Sequence, residues 1–225
     1  MTGNKCRLID ISKLAVDSTP TYCDALIGLH AFTRCDTASA FKGIGKIKPI
    51  QLLQKTRRYQ ELFQDLGKSW NVSEDLCLGL EKSVCQMYKQ KATKTTEVDT
   101  LRHTMLMEKC GSADGKLDPK KTINLSSLPP PRVCLIGHIK RTNYQVGIWK
   151  RSLEQNPSIQ AAVDDNGWVM VGESIEPKWC EGEILPASLA DILETVGEKS
   201  DYDDDDYQDE EESGDDETDT ESDSD

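Results

Sequence analysis

The sequence predicts a mainly α-helical protein: a helical bundle with a minor β excursion near 166–180 and an acidic, disordered tail. Three observations carry that expectation. Apolar residues recur every third or fourth position through most of the chain up to about residue 153, as in Leu76, Leu80, Val84 and Tyr88. Helix-start signals precede several of these runs, among them Thr19-Pro20 and Ser73. Alternating strand patterns are scarce and short, the clearest being NGWVMVG at 166–172.

Taken in order, CRLIDI (6–11) alternates weakly and reads as a short strand. Ser18-Thr19-Pro20 starts a helix through TYCDALIGLHAFT, with Tyr22, Leu26, Leu29 and Thr33 near one face and His30 as a hydrogen-bonded structural residue. Lys46 to Gln54 forms a second helix that tolerates Pro49 in its first turn. RRYQELFQDLG (57–67) is amphipathic and stops at Gly67. Ser73 caps EDLCLGLEKSVCQMYKQK, and TTEVDTLRHTMLMEKCG (95–111) gives a further helix. PPPRVCLIGHIKRTNYQVGIWKRSL (129–153) reads as one long helix burying Leu135, Ile139, Val146, Trp149 and Leu153. Lys140, Arg141, Lys150 and Arg151 then form an exposed, weaker basic stripe on it. Trp179 anchors the β excursion, and PASLADILETV (186–196) supplies a last helix. The expected organisation is a basic head at 1–60, a helical scaffold at 61–110, and a flexible connection at 111–128. The long helix with a small subdomain follows at 129–197, and the tail occupies 198–225.

Charge is distributed unevenly. Residues 201–225 hold 16 of the 40 acidic side chains and no basic one, so the remainder carries 24 acidic against 27 basic residues. Residues 1–60 are net +6, with 10 Lys/Arg against Asp10, Asp17, Asp24 and Asp36. The tail lacks aliphatic residues to offset the entropy of ordering, and its like charges repel. Ser213, Thr218, Thr220 and Ser222 each precede an acidic residue by three, a pattern that suits an acidophilic kinase. Eight cysteines form no CxxC pair, MTGNKCRLID lacks an apolar signal core, and no run reaches membrane-spanning length. An intracellular protein, nuclear or cytoplasmic, is expected. Cys134 and His138, one helical turn apart, are the residues to consider for zinc, with packing the stronger expectation.

The most informative stretch is TRCDTASAFKGIGKIKPIQLL, residues 33–53. Two glycines around one aliphatic residue permit a tight turn, and the turn leads into a helix N-terminus, whose free N–H groups attract phosphate. Ile44 should pin the turn to the core. Lys42, Lys46, Lys48, Lys55, Arg57 and Arg58 are uninterrupted by any acidic residue. With Gly43, Ile44 and Gly45 they are the candidate DNA-binding residues, engaging backbone rather than bases. The pattern of a helix, Gly-hydrophobic-Gly and a second helix resembles the helix-hairpin-helix unit, with Pro49 where a small alanine is usual.

Residues 26–53 more broadly resemble the flap-endonuclease-like 5′ nucleases, in which an apolar helix ends in Leu-Gly-Cys-Asp before the hairpin. The resemblance covers roughly residues 20–55, about a sixth of the chain. It implies that Asp36 matches one carboxylate of a two-metal site and that Gly43, Ile44 and Gly45 match the duplex-gripping hairpin. Arg34 stands where that family has glycine. The family's other metal carboxylates lie upstream of this segment, and Asp10, Asp17 and Asp24 do not reproduce their spacing. Two-metal hydrolysis needs several carboxylates, so Mg2+ at Asp36 requires carboxylates supplied from elsewhere, and no other cofactor is expected. The expectation leans away from an enzyme, and Asp36 could serve instead as cap of a short helix after it. The LPPPRVCLIGHIKRTNYQVGIWKRSL segment also looks like part of uncharacterised mobile-element-associated animal proteins. The function expected is non-sequence-specific binding of duplex or branched DNA by a nuclease-derived fragment, with the tail competing as an internal polyanion. Two alternatives stand beside it: a helical adaptor whose acidic tail binds basic proteins, and a truncated structure-specific nuclease. No membrane partner is expected.

Overall fold

The computed structural model describes residues 8–89, 95–111, 116–118, 120, 121 and 123–179. Seven α-helices and one two-stranded hairpin are found among them. The expectations for 186–196 and for the acidic tail lie outside the described residues.

The first helix, α1 (Ile11–Asp17), begins at the last residue of the segment expected as a strand, and residues 8–10 form no strand. The Asp10 carboxylate accepts the Lys13 N–H at 2.9 Å, so a local cap overrides the weak alternation. Helix α2 (Pro20–Thr33) begins as its sequence dictates, with Thr19 Oγ1 accepting the Tyr22 N–H at 3.2 Å and proline in the first turn. Helices α3 (Ile47–Lys55) and α4 (Arg57–Asp65) follow, then α5 (Glu74–Tyr88), capped by Ser73 as expected, and α6 (Val98–Cys110). A short 3-10 turn at Leu125–Ser127 and a proline run lead into α7 (Arg132–Lys150). Strands β1 (Trp168–Val171) and β2 (Ser174–Pro177) pair antiparallel, with Trp168 opposite Pro177 and Val171 opposite Ser174.

One core gathers side chains from α2 through α7. Helix α2 packs on both α4 and α7. The contact with α4 is close because residue 28 is glycine: any side chain there would collide with the Phe63 carbonyl. Phe32 stands at the centre, its ring centroid 5.3 Å from Phe41, 5.5 Å from Phe63 and 5.2 Å from His138. Full burial of an aromatic or branched side chain contributes about 1.5–3 kcal/mol, so Phe32, Phe41 and Phe63 dominate this junction. Glu81, buried on α5, joins α5 to α6 and α7. Its two oxygens accept the Val98 N–H at 2.9 Å and the Arg132 Nε–H at 3.1 Å, and Arg132 also reaches Glu74 at 2.8 Å.

Helix α7 departs from its expected pattern. Leu135, Ile139 and Val146 are buried, but the helix ends at Lys150 and Leu153 is 98% exposed. Its cations do not form an exposed stripe. Arg141 is 5% exposed and donates to the Gly167 and Lys178 carbonyls. Lys150 Nζ donates to the Gln64 and Leu66 carbonyls at 2.6 and 2.7 Å, meeting the end of α4, and its pKa is lowered, chiefly by burial. Arg151 donates to the Gly67 and Gly147 carbonyls and lies 4.4 Å over the Trp70 ring. Lys140 pairs with Asp165 at 2.6 Å. The reason is that carbonyls at helix ends and turns need donors, and Arg141, Lys150 and Arg151 supply them. Asn143 completes the set, accepting the Gly67 N–H at 2.8 Å while donating to the Ser69 and Trp70 carbonyls. Among the described residues no helix is long and apolar enough to cross a membrane.

Candidate nucleic-acid interface

The segment between α2 and α3 is a loop anchored at two points. Phe41 and Ile44 are both buried. Between them the chain reverses in a turn closed by the Ile44 N–H on the Phe41 carbonyl at 3.0 Å, with Gly43 at φ +74°. That conformation is one L side chains rarely adopt, so the backbone itself selects glycine at 43. Gly45 differs: its φ is not positive, and a Cβ built there would meet nothing within 4 Å. The fold makes no demand for glycine at 45, and both glycines are exposed.

Helix α3 starts directly after this turn with no side-chain cap. Its first intrahelical bond runs from the Ile50 N–H to the Lys46 carbonyl at 3.1 Å. The Ile47 and Lys48 N–H groups precede that bond, and Pro49 has none to offer. A bare helix start carries partial positive charge and donors for an anion.

The candidate cations divide. Lys42, Lys48, Lys55, Arg57 and Arg58 are exposed. Lys48 and Lys55, seven residues apart on α3, line one recess of about 150 Å³ with Gln51 and Thr56. Arg57 is engaged with Glu61 at 3.1 Å, and Arg58 lines a different recess with Asp75 and Glu97. Lys46 turns inward. Its Nζ donates to the His30 carbonyl at 2.9 Å, Thr33 Oγ1 at 3.1 Å and the Arg34 carbonyl at 2.9 Å, closing the end of α2. Burial lowers the Lys46 pKa; Cys35 pushes it back up and Arg34 down. His30 itself is exposed, with its ring 6.0 Å from Trp149; its carbonyl rather than its imidazole takes the structural hydrogen bond.

Asp36 is exposed in a turn that Cys35 and Ala38 close by pairing in both directions, at 3.3 and 3.4 Å. No helix follows it, so the expected capping role is replaced by a turn position. Thr37 Oγ1 secures this turn to Gln145 on α7 at 2.7 Å. Among the described residues no group of three His, Cys, Asp or Glu side chains could hold a metal ion. His138 places Nε2 2.8 Å from the Phe32 carbonyl, and burial, the largest cause, pushes its pKa down to about 4. Arg34 shows φ +142° and ψ +129°, a conformation favouring glycine.

Comparison with protein-family models, curated proteins and solved structures found no match.

Proposed function

We propose that the loop from Phe41 to Gly45 and the start of α3 hold the phosphate backbone of duplex or branched DNA without reading its sequence. The observation that carries this reading is Gly45. It is exposed and faces open space, and the fold does not require it to be glycine, so a ligand backbone has room to approach closely there. The uncapped α3 start supplies N–H donors, and Lys48 and Lys55 supply cations on one helix face. Lys42 reinforces them, while Lys46 acts by fixing the turn to α2 rather than by touching phosphate. The reading invokes no catalysis by this chain alone, and Mg2+ at Asp36 would need carboxylates from elsewhere. A nuclear or cytoplasmic setting fits it.

The test is anisotropy of a fluorescent flap duplex titrated with the full chain at several salt concentrations. Three to four neutralised phosphates give a slope of log Kobs against log salt of about −3 to −4. Gly45→Val should weaken binding at least tenfold with an unchanged melting temperature. Lys48→Ala with Lys55→Ala should reduce the slope by about two. No binding at low salt, or full binding by Gly45→Val, removes the proposal.

A second reading, a protein-interaction module, draws on α1, whose Ile11, Leu14 and Val16 are 70%, 54% and 83% exposed. The acidic residues 201–225 would in that case engage basic proteins. Protein capture that survives Gly45→Val, together with absent DNA binding, would favour it.

A further inference from the structure

A cavity of about 480 Å³ opens between the 39–42 loop, the residues leading into α7 and the chain at 178–179. Phe41, Tyr88, Leu128, Pro131 and Trp179 form much of its wall. Ligand sites of small molecules have this size and this apolar character, with a few converging polar groups. Lys42, Arg102, Arg141 and Lys178 also line it, and among the described residues no Asp or Glu does. Among the described residues the wall is thus basic, which suits an anion.

Arg141 decides the chemistry. It is 5% exposed, yet no carboxylate lies within ion-pairing distance among the described residues. Its Nη1 donates to the Gly167 and Lys178 carbonyls at 3.3 and 3.2 Å, and the guanidinium lies 5.5 Å over the Trp179 ring. Its Nε and Nη2 groups make no hydrogen bond among the described residues. Carbonyls and a ring face supply partial charge only, whereas a buried cation is ordinarily paired with a full one. Burial lowers the Arg141 pKa, and Cys134 pushes it partly back up. His138, also on the wall, adds no charge. With a pKa of about 4 it is neutral at pH 7, and its Nε2–H donates to the Phe32 carbonyl.

We propose that this cavity binds a small organic anion, its carboxylate or sulfonate on Arg141 and its apolar body between Phe41, Leu128 and Trp179. The cavity adjoins the 41–45 loop and shares Phe41 and Lys42 with it, but its anion seat, Arg141, lies outside that loop and the proposal does not depend on DNA binding.

Fluorescence titration of the full chain with 8-anilinonaphthalene-1-sulfonate and with N-phenyl-1-naphthylamine, the same rings without the sulfonate, tests this. With a charge-assisted hydrogen bond to Arg141, the sulfonate should bind at least about tenfold more tightly. Arg141→Gln should bring the two affinities within about twofold of each other. Ala40 is exposed, lines the cavity and makes no hydrogen bond among the described residues. Ala40→Trp should therefore weaken both probes at least tenfold with an unchanged melting temperature. Equal affinity of the two probes for the native chain overturns the proposal. So does sulfonate binding that Ala40→Trp leaves intact, which would place the probe elsewhere on the surface. If Arg141→Gln does not fold, the native probe ratio and Ala40→Trp still decide.

Discussion

Replacing Arg34 by glycine should stabilise this protein. Arg34 follows α2 at φ +142° and ψ +129°, where a Cβ is unfavourable; such backbone positions cost roughly 1–3 kcal/mol. Glycine removes that strain but increases the freedom of the unfolded chain, at a cost of about 0.4–1 kcal/mol. The Arg34 side chain is exposed and makes no hydrogen bond among the described residues, so little is lost with it. Its carbonyl, which accepts from Lys46, remains in place. The expected net gain is about 1 kcal/mol, or about 2–4 °C in melting temperature for a chain of this size. The assay is paired thermal and urea denaturation of the native chain, Arg34→Gly and Arg34→Ala. Alanine removes the charge beside Lys46 but keeps the Cβ, so it should leave stability nearly unchanged. Equal gains from alanine and glycine would show that charge, not backbone strain, was relieved. A loss on Arg34→Gly would refute the strain argument.

Stability should also fall on mild acidification through His138. Its folded pKa of about 4 lies below the ordinary 6.5, so between those values the unfolded chain binds a proton that the folded chain does not. The contribution is intact above pH 6.5 and is lost as pH falls toward 4, amounting to about 2 kcal/mol by pH 5. Urea denaturation at pH 7 and pH 5 should show that extra loss in the native chain and not in His138→Asn. Glu81→Ala should cost about 1–3 kcal/mol, chiefly because it leaves the buried Val98 N–H without its acceptor, while Arg132 is 37% exposed and keeps Glu74. Glu81→Gln, which keeps a carbonyl for Val98, should cost clearly less in the same denaturation assay.

The helices were readable wherever their signals were local. Thr19-Pro20, Ser73 and the period of Leu76, Leu80 and Val84 act within a few residues, and the structure uses them as written. Helix α1 was missed because its seven residues make less than two full turns, too few for an apolar period to show. The side-chain roles on α7 were hidden for a different reason. His138 bonds to Phe32, 106 residues earlier, and Asn143 to Ser69, 74 residues earlier, separations that no spacing rule reaches. At the candidate interface the sequence displayed the number of cations but not their engagements. Nothing in GIGKIK distinguishes Lys46, which closes α2, from Lys48, which faces a recess on α3. Arg34 carried no local signal of the glycine-like backbone that it adopts.

The shared core also decides how this molecule can be cut. Lys46 ties residues 12 to 16 positions apart, whereas Lys150 reaches back 84 and 86 positions to Leu66 and Gln64. A fragment ending before α7 would strip the α4–α5 turn of Lys150, Asn143 and Arg151 at once and uncover Phe32 where His138 now covers it. The basic head is therefore not a detachable module. Amide hydrogen exchange should register this as a common protection, with the amides of α2 and α7 released together in one cooperative opening.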